Sequence, residues 1–294
     1  MYFPFELELV KWLQSLSNGV LDAFFNGVSF FGEEIFIIII IGFTYWCYNK
    51  KMGEYIGFAL TTSYTFNNYF KDLFSAPRPF EVSNEVVNLR PDTATGHSFP
   101  SGHVQGATTA FSSIAYWMKK RLFWIIAIVM MVLMSLSRMY LGVHFLRDVV
   151  VGSLFGLGIA YLTYKLFQKY SGSDERKLHT IYIITAITFL PVAFMMKSED
   201  FFKGYGILVG FVIAILFEKK YVSFTTDVGV WKKVIRFVVG LIIALVVQQG
   251  FKLAFSPIID AAPSIANFLH FVRYVLIAFA GFGLYPWLFK KFNF

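Results

Sequence analysis

The run LFWIIAIVMMVLMSL occupies residues 122–136 and contains no charged side chain. Two similar apolar runs fill residues 35–47 and 234–247, the second interrupted only by Arg236. Across the 294 residues, 57% are hydrophobic and 15% are charged, whereas soluble domains usually carry about 25% charged residues. Because a helix needs about 20 mostly apolar residues to cross a bilayer, the composition predicts a helical membrane protein and excludes an ordinary soluble domain.

The hydropathy pattern predicts an all-α fold, a polytopic transmembrane helical bundle of about nine spans. We expect an interfacial amphipathic helix over residues 1–29, a transmembrane core over 30–168 that carries the motifs described below, and an accessory transmembrane bundle over 169–294. The nine predicted spans are 30–48, 53–74, 101–118, 122–141, 146–167, 178–196, 201–217, 232–251 and 268–289.

The basic residues are distributed unevenly between the predicted loops. With the N-terminus outside, sixteen of the 26 Lys and Arg residues lie on the inner face, and three of the other ten belong to polar motifs. The positive-inside rule therefore predicts an outer N-terminus and an inner C-terminus. These loops account for the net charge of +8, so the expected partner is the lipid bilayer, and no nucleic-acid partner is predicted.

Three short polar segments lie at the predicted outer ends of the spans. The first, KDLFSAPRP, covers residues 71–79 and contributes two cations, Lys71 and Arg78. The second, PSGH, covers residues 100–103, and the third, SRMYLGVHFLRD, covers residues 137–148. Although they are far apart in sequence, all three are expected on the same, extracytoplasmic face.

The cations of these segments point to an anionic ligand. Lys71, Arg78 and Arg138 lie near the edge of an apolar medium, where charged side chains are costly and usually functional. The guanidinium fork of arginine matches phosphate oxygens, and lysine acts as a point charge. Together the three cations predict a site for an anion that carries two or more charges.

The remaining motif residues supply the groups that phosphoryl transfer needs. The PSGH segment predicts a helix start, where Ser101 and Gly102 offer free backbone N–H groups to an anion. His144 and Asp148 are four residues apart, so on a helix they share one face. A carboxylate on one imidazole nitrogen fixes the tautomer and leaves the other nitrogen free to attack. His103 remains as a general acid for the leaving oxygen.

This residue set predicts phosphoryl transfer without a metal ion or another cofactor. The cations and N–H groups would stabilise the developing charge in place of Mg²⁺. The motifs contain no cluster of carboxylates or cysteines that would bind a metal ion. Taken singly, each residue has a structural explanation, as an interfacial anchor, a helix start or a hydrogen bond between spans. Their joint occurrence favours catalysis.

The three segments match the pattern K-x6-R-P, P-S-G-H and S-R-x5-H-x3-D at every specified position. In this the chain resembles the type 2 phosphatidic acid phosphatase superfamily, and its span order is similar to that of larger members such as sphingosine phosphate phosphatase and glucose-6-phosphatase. The resemblance implies that His144 is the nucleophile that forms a phosphohistidine, that Asp148 orients it and that His103 protonates the leaving group. The phosphate oxygens would be held by Lys71, Arg78, Ser101, Gly102 and Arg138.

The resemblance also implies a multi-pass membrane phosphatase whose active site faces outward from the cell inner or plasma membrane. The expected substrate is a lipid phosphomonoester or diphosphate, of the phosphatidic acid, sphingoid base phosphate, phosphatidylglycerophosphate or polyprenyl diphosphate type. The alternatives are a lipid phosphotransferase with the same site, a sugar-phosphate phosphatase, and a non-catalytic phosphate-binding transporter. The sequence leaves open the oligomeric state and whether His97, Asn67 or Asn68 contacts substrate.

Overall fold

The computed structural model describes residues 3–292 and 294, and these residues form helices and loops without a β-strand. Met1, Tyr2 and Asn293 belong to the predicted segments 1–29 and 169–294 but lie outside the described residues. The prediction of an all-α chain is confirmed for the part that the structure describes.

Fourteen α-helices follow one another in the described part of the chain. They are α1 (Pro4–Ser15), α2 (Gly19–Phe30), α3 (Glu34–Gly42), α4 (Lys50–Phe74), α5 (Pro79–Val82), α6 (Gly102–Met118), α7 (Arg121–Tyr140), α8 (Leu146–Tyr170), α9 (Glu175–Thr188), α10 (Leu190–Ala193), α11 (Glu199–Phe217), α12 (Val230–Ala261), α13 (Ala266–Phe279) and α14 (Tyr285–Phe292). Wider π-type turns extend α3, α11 and α13, over Phe43–Tyr48, Glu218–Val222 and Ala280–Leu284. Short 3₁₀ turns cover Pro91–Thr93 and Pro263–Ile265.

The N-terminal segment differs from the single helix expected over residues 1–29. The structure has two helices, because α1 ends at Ser15 and α2 begins at Gly19, directly after Asn18. The Asn18 side-chain oxygen accepts hydrogen bonds from the backbone N–H groups of Val20 and Leu21, both at 3.1 Å. Asparagine is a preferred residue for such a helix cap. The interfacial location of the segment stays a prediction.

Four helical segments of the described chain have the length and apolar composition of a membrane span: Arg121–Tyr140, Leu146–Tyr170, Glu199–Val222 and Pro263–Phe292. A fifth is added if Gly19–Phe30 and Glu34–Tyr48, which are bent by 46°, count as one span. The helices α4 and α6 fall outside this set, because α4 carries many polar side chains and α6 has only 17 residues. The number of nine spans therefore stays a prediction.

The chain forms two compact units that interleave along the sequence. The first comprises the described residues of Met1–Ile37 together with Phe66–Leu162, and the second comprises Ile38–Thr65 with Thr163–Phe294. The long helices α4 and α8 each contribute to both units. The predicted division at residues 29/30 and 168/169 is a division of the sequence and stays a prediction.

In the first unit, α1, α6 and α7 bury a common apolar core beneath the polar loops. Its side chains include Val10 and Leu13 of α1, Val104 and Ala107 of α6, and Met134 and Tyr140 of α7. In the second unit, α11 and α13 approach closely enough to require glycine. A Cβ atom on Gly206 would lie 2.4 Å from the carbonyl oxygen of Phe271, and one on Gly210 would lie 2.5 Å from that of Val275.

Candidate active site

All eight predicted site residues lie in the first compact unit, at the ends of its helices. Lys71 is in the last turn of α4, and Arg78 directly precedes α5, which starts at a proline. The start of α6 supplies Ser101, Gly102 and His103; the last turn of α7 supplies Arg138; and the turn into α8 supplies His144 and Asp148. The three motifs are therefore carried by neighbouring helix ends of one unit.

The imidazole of His144 is held between a carboxylate and a guanidinium. His144 is 1% exposed, and its Nδ1 lies 3.4 Å from Asp148 Oδ2. Its other nitrogen, Nε2, lies 3.5 Å from Nη1 of Arg78. A carboxylate beside Nδ1 favours the tautomer that carries the proton on Nδ1. Such a tautomer presents the Nε2 lone pair toward the cationic side of the site.

The pairing of His144 with Asp148 differs from the prediction in one respect. His144 lies in the turn before α8, two residues ahead of its first residue, so the pair does not share a helix face. The turn is instead closed by Asp148, whose Oδ2 accepts a hydrogen bond from the backbone N–H of Phe145 at 2.9 Å. One carboxylate therefore fixes both the backbone around His144 and the side of its ring.

A third residue, Ser98, completes this arrangement. The Ser98 side chain is fully buried, and its hydroxyl donates to Asp148 Oδ2 at 2.5 Å. The Ser98 hydroxyl oxygen also lies 3.4 Å from Nδ1 of His144. Because a charge-assisted hydrogen bond is usually about 2.7–2.9 Å long, the direct contact between His144 and Asp148 is loose, and Ser98 is the stronger partner of the carboxylate.

Arg78 organises the backbone around the site as well as facing His144. Its guanidinium donates to the carbonyl oxygens of Thr95 at 2.6 Å, Gly96 at 3.0 Å and Val143 at 2.9 Å. The sequence predicted that Arg78 binds phosphate, but its guanidinium donates most of its hydrogen bonds to backbone carbonyl groups. The N–H group nearest His144 is the one placed to reach a phosphate oxygen.

Arg138 has the opposite character, because most of its donors are unused. The side chain is fully buried, and its Nη1 donates to the hydroxyl of Ser29 in α2 at 2.6 Å. Its Nε and Nη2 atoms are buried and make no hydrogen bond within the described residues. An unsatisfied buried donor costs about 1–3 kcal/mol, and more when it is charged. The two unpaired nitrogens are therefore suited to bind the oxygens of an anion.

Lys71 joins the cationic group through the loop that precedes α6. Its ammonium group donates to the carbonyl oxygen of His97 at 2.7 Å, and Nη2 of Arg78 lies 3.5 Å from the same oxygen. His97 thus contributes a backbone carbonyl that both cations approach. A lysine ammonium has three donors, so this contact is compatible with a phosphate ligand on another N–H.

The start of α6 provides fewer free backbone donors than the sequence predicted. The N–H of Ser101 donates to the carbonyl oxygen of Asp148 at 3.0 Å, which ties the two motifs together and removes that donor from an anion site. Gly102 and His103 retain N–H groups that have no acceptor within the helix. The hydroxyl of Ser101 is buried and makes no hydrogen bond within the described chain. Ser101 can therefore reach a phosphate through its side chain.

Asn67 of α4 supports this helix start. Its amide nitrogen donates to Gln105 Oε1 at 2.8 Å and approaches the carbonyl oxygen of Pro100 at 3.3 Å. A Cβ atom on Gly102 would lie 3.1 Å from Asn67 Oδ1. The glycine therefore permits close approach of α4 to the start of α6.

His103 lies at the corner between α2 and α3. A Cβ atom on Gly32 would come within 2.9 Å of the His103 carbonyl oxygen, so the two backbones are in contact. The Nε2 atom of His103 is buried and has no hydrogen-bond partner among the described residues. An unpaired imidazole nitrogen in such a place is available for proton transfer to a bound ligand.

The surroundings of His144 favour its neutral form. Burial lowers the pKa of His144 well below its usual value of about 6.5, and the charges of Arg78, Arg138 and Lys71 lower this pKa further. A neutral imidazole can act as a nucleophile, whereas a protonated one cannot. The same cations that attract an anion therefore keep the attacking nitrogen unprotonated.

Sequence reasoning missed Ser98 and Ser29, which contact Asp148 and Arg138. Ser98 is three residues before Ser101 in a loop without periodicity, so nothing in its spacing marked it. Ser29 was detectable in principle, because it is one polar residue in the apolar stretch VSFF at residues 28–31. A hydroxyl on the buried face of such a helix needs a partner.

The described chain is helical, has segments long and apolar enough to cross a membrane, and gathers a buried imidazole and three cations at helix ends, as expected for a membrane phosphatase. Comparison with known families agrees. The family described as the PAP2 superfamily matches residues 54–171, and the family described as the PAP2 superfamily phosphatase, transmembrane extension, matches residues 202–294. The chain belongs to the PAP2 superfamily, which confirms the recognition made from the three motifs.

Individual relatives support the same assignment. The chain is 29% identical over 167 residues to undecaprenyl-diphosphatase of Sulfolobus acidocaldarius, covering 55% of this chain and 78% of that one. It is 31% identical over 174 residues to phosphatidylglycerophosphatase B of Bacillus subtilis, covering 53% and 76%. It is 25% identical over 232 residues to a probable sphingosine-1-phosphate phosphatase of Dictyostelium discoideum, covering 72% and 50%. All three are similar proteins named as phosphatases.

Proposed function

We propose that the protein hydrolyses a membrane lipid phosphate through a covalent phosphohistidine on His144. The observation that carries this proposal is the placement of one buried imidazole between a carboxylate and a guanidinium. Asp148 and Ser98 lie on its Nδ1 side, and Arg78 lies 3.5 Å from its Nε2. Phosphate binding alone would require the cations but not a carboxylate that fixes the ring, so the arrangement supports catalysis over a binding protein.

In the first step, the lone pair of His144 Nε2 attacks phosphorus, and the bond from phosphorus to the leaving oxygen breaks. His103, which takes up a proton when the phosphate anion binds beside it, gives that proton to the leaving oxygen, so the lipid leaves as an alcohol or, from a diphosphate, as a monophosphate. The imidazolium that forms is stabilised by Asp148. Arg138, with two idle nitrogens, and Lys71 hold the phosphate oxygens and balance their charge.

In the second step, water attacks the phosphorus of the phosphohistidine. His103, now neutral, takes a proton from the water, and the bond from phosphorus to Nε2 breaks. Inorganic phosphate is released, His144 returns to its neutral form and His103 regains its proton. The cycle consumes one water molecule and needs no metal ion, because cationic side chains supply the positive charge.

The proposed substrate is a phosphomonoester or diphosphate at the end of a lipid. The three relatives carry names that refer to a polyprenyl diphosphate, phosphatidylglycerophosphate and a sphingoid base phosphate. These lipids share a terminal phosphate and differ in what leaves, which matches a set of residues whose proposed roles concern only the phosphate and the leaving oxygen. A lipid substrate also suits helix ends at the edge of membrane-crossing segments.

The first test of the proposal is the chemical step. His144→Ala should abolish turnover and leave no labelled phosphoenzyme after acid quenching, whereas Asp148→Asn should still bind phosphate but form the intermediate at least tenfold more slowly. The reactions should be run with a strong chelator present, and product should be followed as free phosphate to separate hydrolysis from transfer to an acceptor. A phosphoenzyme in His144→Ala would contradict the proposed nucleophile.

His103→Ala tests the proton donor with two leaving groups. An alkyl phosphate should react about 10²–10⁴ times more slowly, because its alkoxide needs a proton. A nitrophenyl phosphate should be affected much less, since that oxygen can leave unprotonated. Equal losses for both substrates would show that His103 has another role.

A further inference from the structure

The second compact unit contains a nearly buried arginine that has no hydrogen-bond or ion-pair partner among the described residues. Arg273 of α13 is 8% exposed. Within the described residues its guanidinium makes no hydrogen bond and no ion pair, and its Nε atom is buried and unsatisfied. Its guanidinium lies 5.1 Å from the centroid of the adjacent Tyr274 ring, and its charge attracts the Glu199 carboxylate without a hydrogen bond between them. A buried charge is normally paired, because removing it from water is costly.

A polar cluster lies near the starts of α11 and α13, one helical turn before Arg273. His270, one turn before Arg273, places Nε2 3.1 Å from Glu199 Oε2. The ammonium group of Lys203 lies 2.7 Å from Glu199 Oε1 and 3.2 Å from Asp200 Oδ1. The hydrogen bonds of the nearby carboxylates go to Lys203 and His270, so Arg273 attracts Glu199 only at longer range and lacks a hydrogen-bond acceptor.

Two further features make this place suited to an anion. Both α11 and α13 begin beside Glu199 and His270, so the positive ends of two helix dipoles lie next to this cluster, and Arg273 adds a full charge further along α13. The other imidazole nitrogen of His270, Nδ1, is also buried and unpaired within the described residues. An acceptor with several oxygens would satisfy Arg273 and His270 together.

We propose that Arg273 and His270 form a second anion site, distinct from the active site, that binds the phosphate of an anionic phospholipid. Arg273 belongs to the membrane-crossing segment Pro263–Phe292 and lies seven residues after the start of α13. That is about 10 Å along the helix, and a long arginine side chain near the end of a span can extend toward the headgroup region. Leu276, 38% exposed, lies about 60° away around the helix and can contact an acyl chain.

The test uses purified protein in a neutral detergent, after lipid removal, and measures thermal unfolding. Phosphatidylglycerol, phosphatidylcholine and inorganic phosphate are added in turn to the parent protein, to Arg273→Gln and to Lys252→Gln. Lys252 is an exposed cation of the same unit, so this variant controls for the loss of one positive charge. The readout involves no catalysis, and its failure would leave the proposed function untouched.

We expect phosphatidylglycerol to stabilise the parent and Lys252→Gln, with an apparent affinity at least about tenfold weaker in Arg273→Gln. Without lipid, Arg273→Gln should melt about 2–4 °C higher than the parent, since an unpaired buried charge is removed. Stabilisation by inorganic phosphate alone would support the site with free phosphate as its ligand, and stabilisation by lipid alone would identify the headgroup.

Three results would overturn the proposal. One is a parent protein that neither phosphatidylglycerol nor phosphate stabilises. Another is equal stabilisation of the parent and Arg273→Gln, which would place the lipid elsewhere. The third is a lower melting temperature of lipid-free Arg273→Gln, because a structural arginine would lose contacts on removal. In that case Arg273→Lys, which keeps the charge, would restore the melting temperature without restoring a lipid response.

Discussion

At the scale of single residues, the carboxylate of Asp148 makes several contacts besides the one to His144. It accepts hydrogen bonds from Ser98 and from the backbone of Phe145, and it lies within 3.4 Å of Arg147 Nε. The ring of His144 is then placed by a carboxylate that is itself held on several sides. Such supporting contacts set the precision of a catalytic group.

Ser98→Ala should therefore slow the reaction without weakening substrate binding. One buried hydrogen bond is worth about 0.5–1.5 kcal/mol, so kcat should fall about 2–10-fold while KM changes little. The effect should be non-additive with Asp148→Asn, because both changes act on one group. Ser83→Ala, in a loop of the same unit, is the control. A Ser98 variant that changed only KM would argue against a positioning role.

The depressed pKa of His144 gives a prediction for the acid side of the pH profile. Attack needs the neutral ring, so kcat/KM should persist below pH 6.5 and fall only where His144 becomes protonated. Lys71→Gln removes a cation that lowers this pKa, so its acid limb should shift to higher pH. Lys11→Gln, outside the site, should keep the parent profile. The same substrate in all three cancels its own ionisation, and an unshifted limb in Lys71→Gln would refute the electrostatic coupling.

At the scale of helices, α1 and α2 are part of the site's framework. Glu6 of α1 is 1% exposed and accepts the backbone N–H of Arg147 at 2.8 Å. Gln14 exchanges two hydrogen bonds with the backbone of Val87, at 2.7 and 3.0 Å. In α2, Asp22 accepts from the hydroxyl of Tyr140 at 2.6 Å. The N-terminal helices are thus hydrogen-bonded to the third motif segment and to the loop between the first two.

Ser29→Ala tests this framework through the cation that α2 supports. Without the hydroxyl, Arg138 loses its one described side-chain partner and is held less firmly against the phosphate. We expect KM and the inhibition constant for inorganic phosphate to rise about 5–10-fold. Ser135→Ala is a matched control, because the Ser135 hydroxyl bonds only to its own helix at Met131. Similar effects in both variants would indicate a general loss of packing.

The sequence predicted the helices and the motif residues for a physical reason. Apolar runs identify long helices directly, and motif residues of fixed type report the chemistry. It predicted the supporting contacts poorly, because these depend on distant segments. The Ser29–Arg138 bond joins residues 109 apart, and the Gln14–Val87 bonds join residues 73 apart. The break at Asn18 was a local capping signal that the apolar periodicity concealed.

At the scale of the whole molecule, the charged residues that contact one another within a unit are predicted to lie on the same side of the membrane. In the second unit, Lys50 pairs with Glu218 at 2.7 Å, and Lys219 pairs with Glu54 and Glu175 at 2.8 and 2.7 Å. By the bounds of the predicted spans, all of these residues lie in inner loops or at inner span ends. Glu199, Lys203 and His270, which lie at or next to predicted outer span ends, form the other cluster. In the first unit, every motif residue lies at a predicted outer end.

These groupings support our proposal of nine spans with an outer N-terminus, an inner C-terminus and an extracytoplasmic active site. Asn84, in the loop before α6, and Ser173, in the turn after α8, are both exposed. Three predicted spans separate them, and an odd number places them on opposite sides. Single cysteines at these positions, in a Cys47→Ala background that retains activity, can be probed with a membrane-impermeant maleimide.

In intact cells, Asn84→Cys should react with the maleimide and Ser173→Cys should not. Both should react after permeabilisation, which controls for the accessibility of each thiol. Reaction of both in intact cells would require an even number of spans between them and would contradict the alternation that the basic loops predict. Reaction of Ser173→Cys alone would keep the alternation but place His144 and its cations on the cytoplasmic face. The labelling pattern therefore decides from which side a lipid phosphate reaches the site.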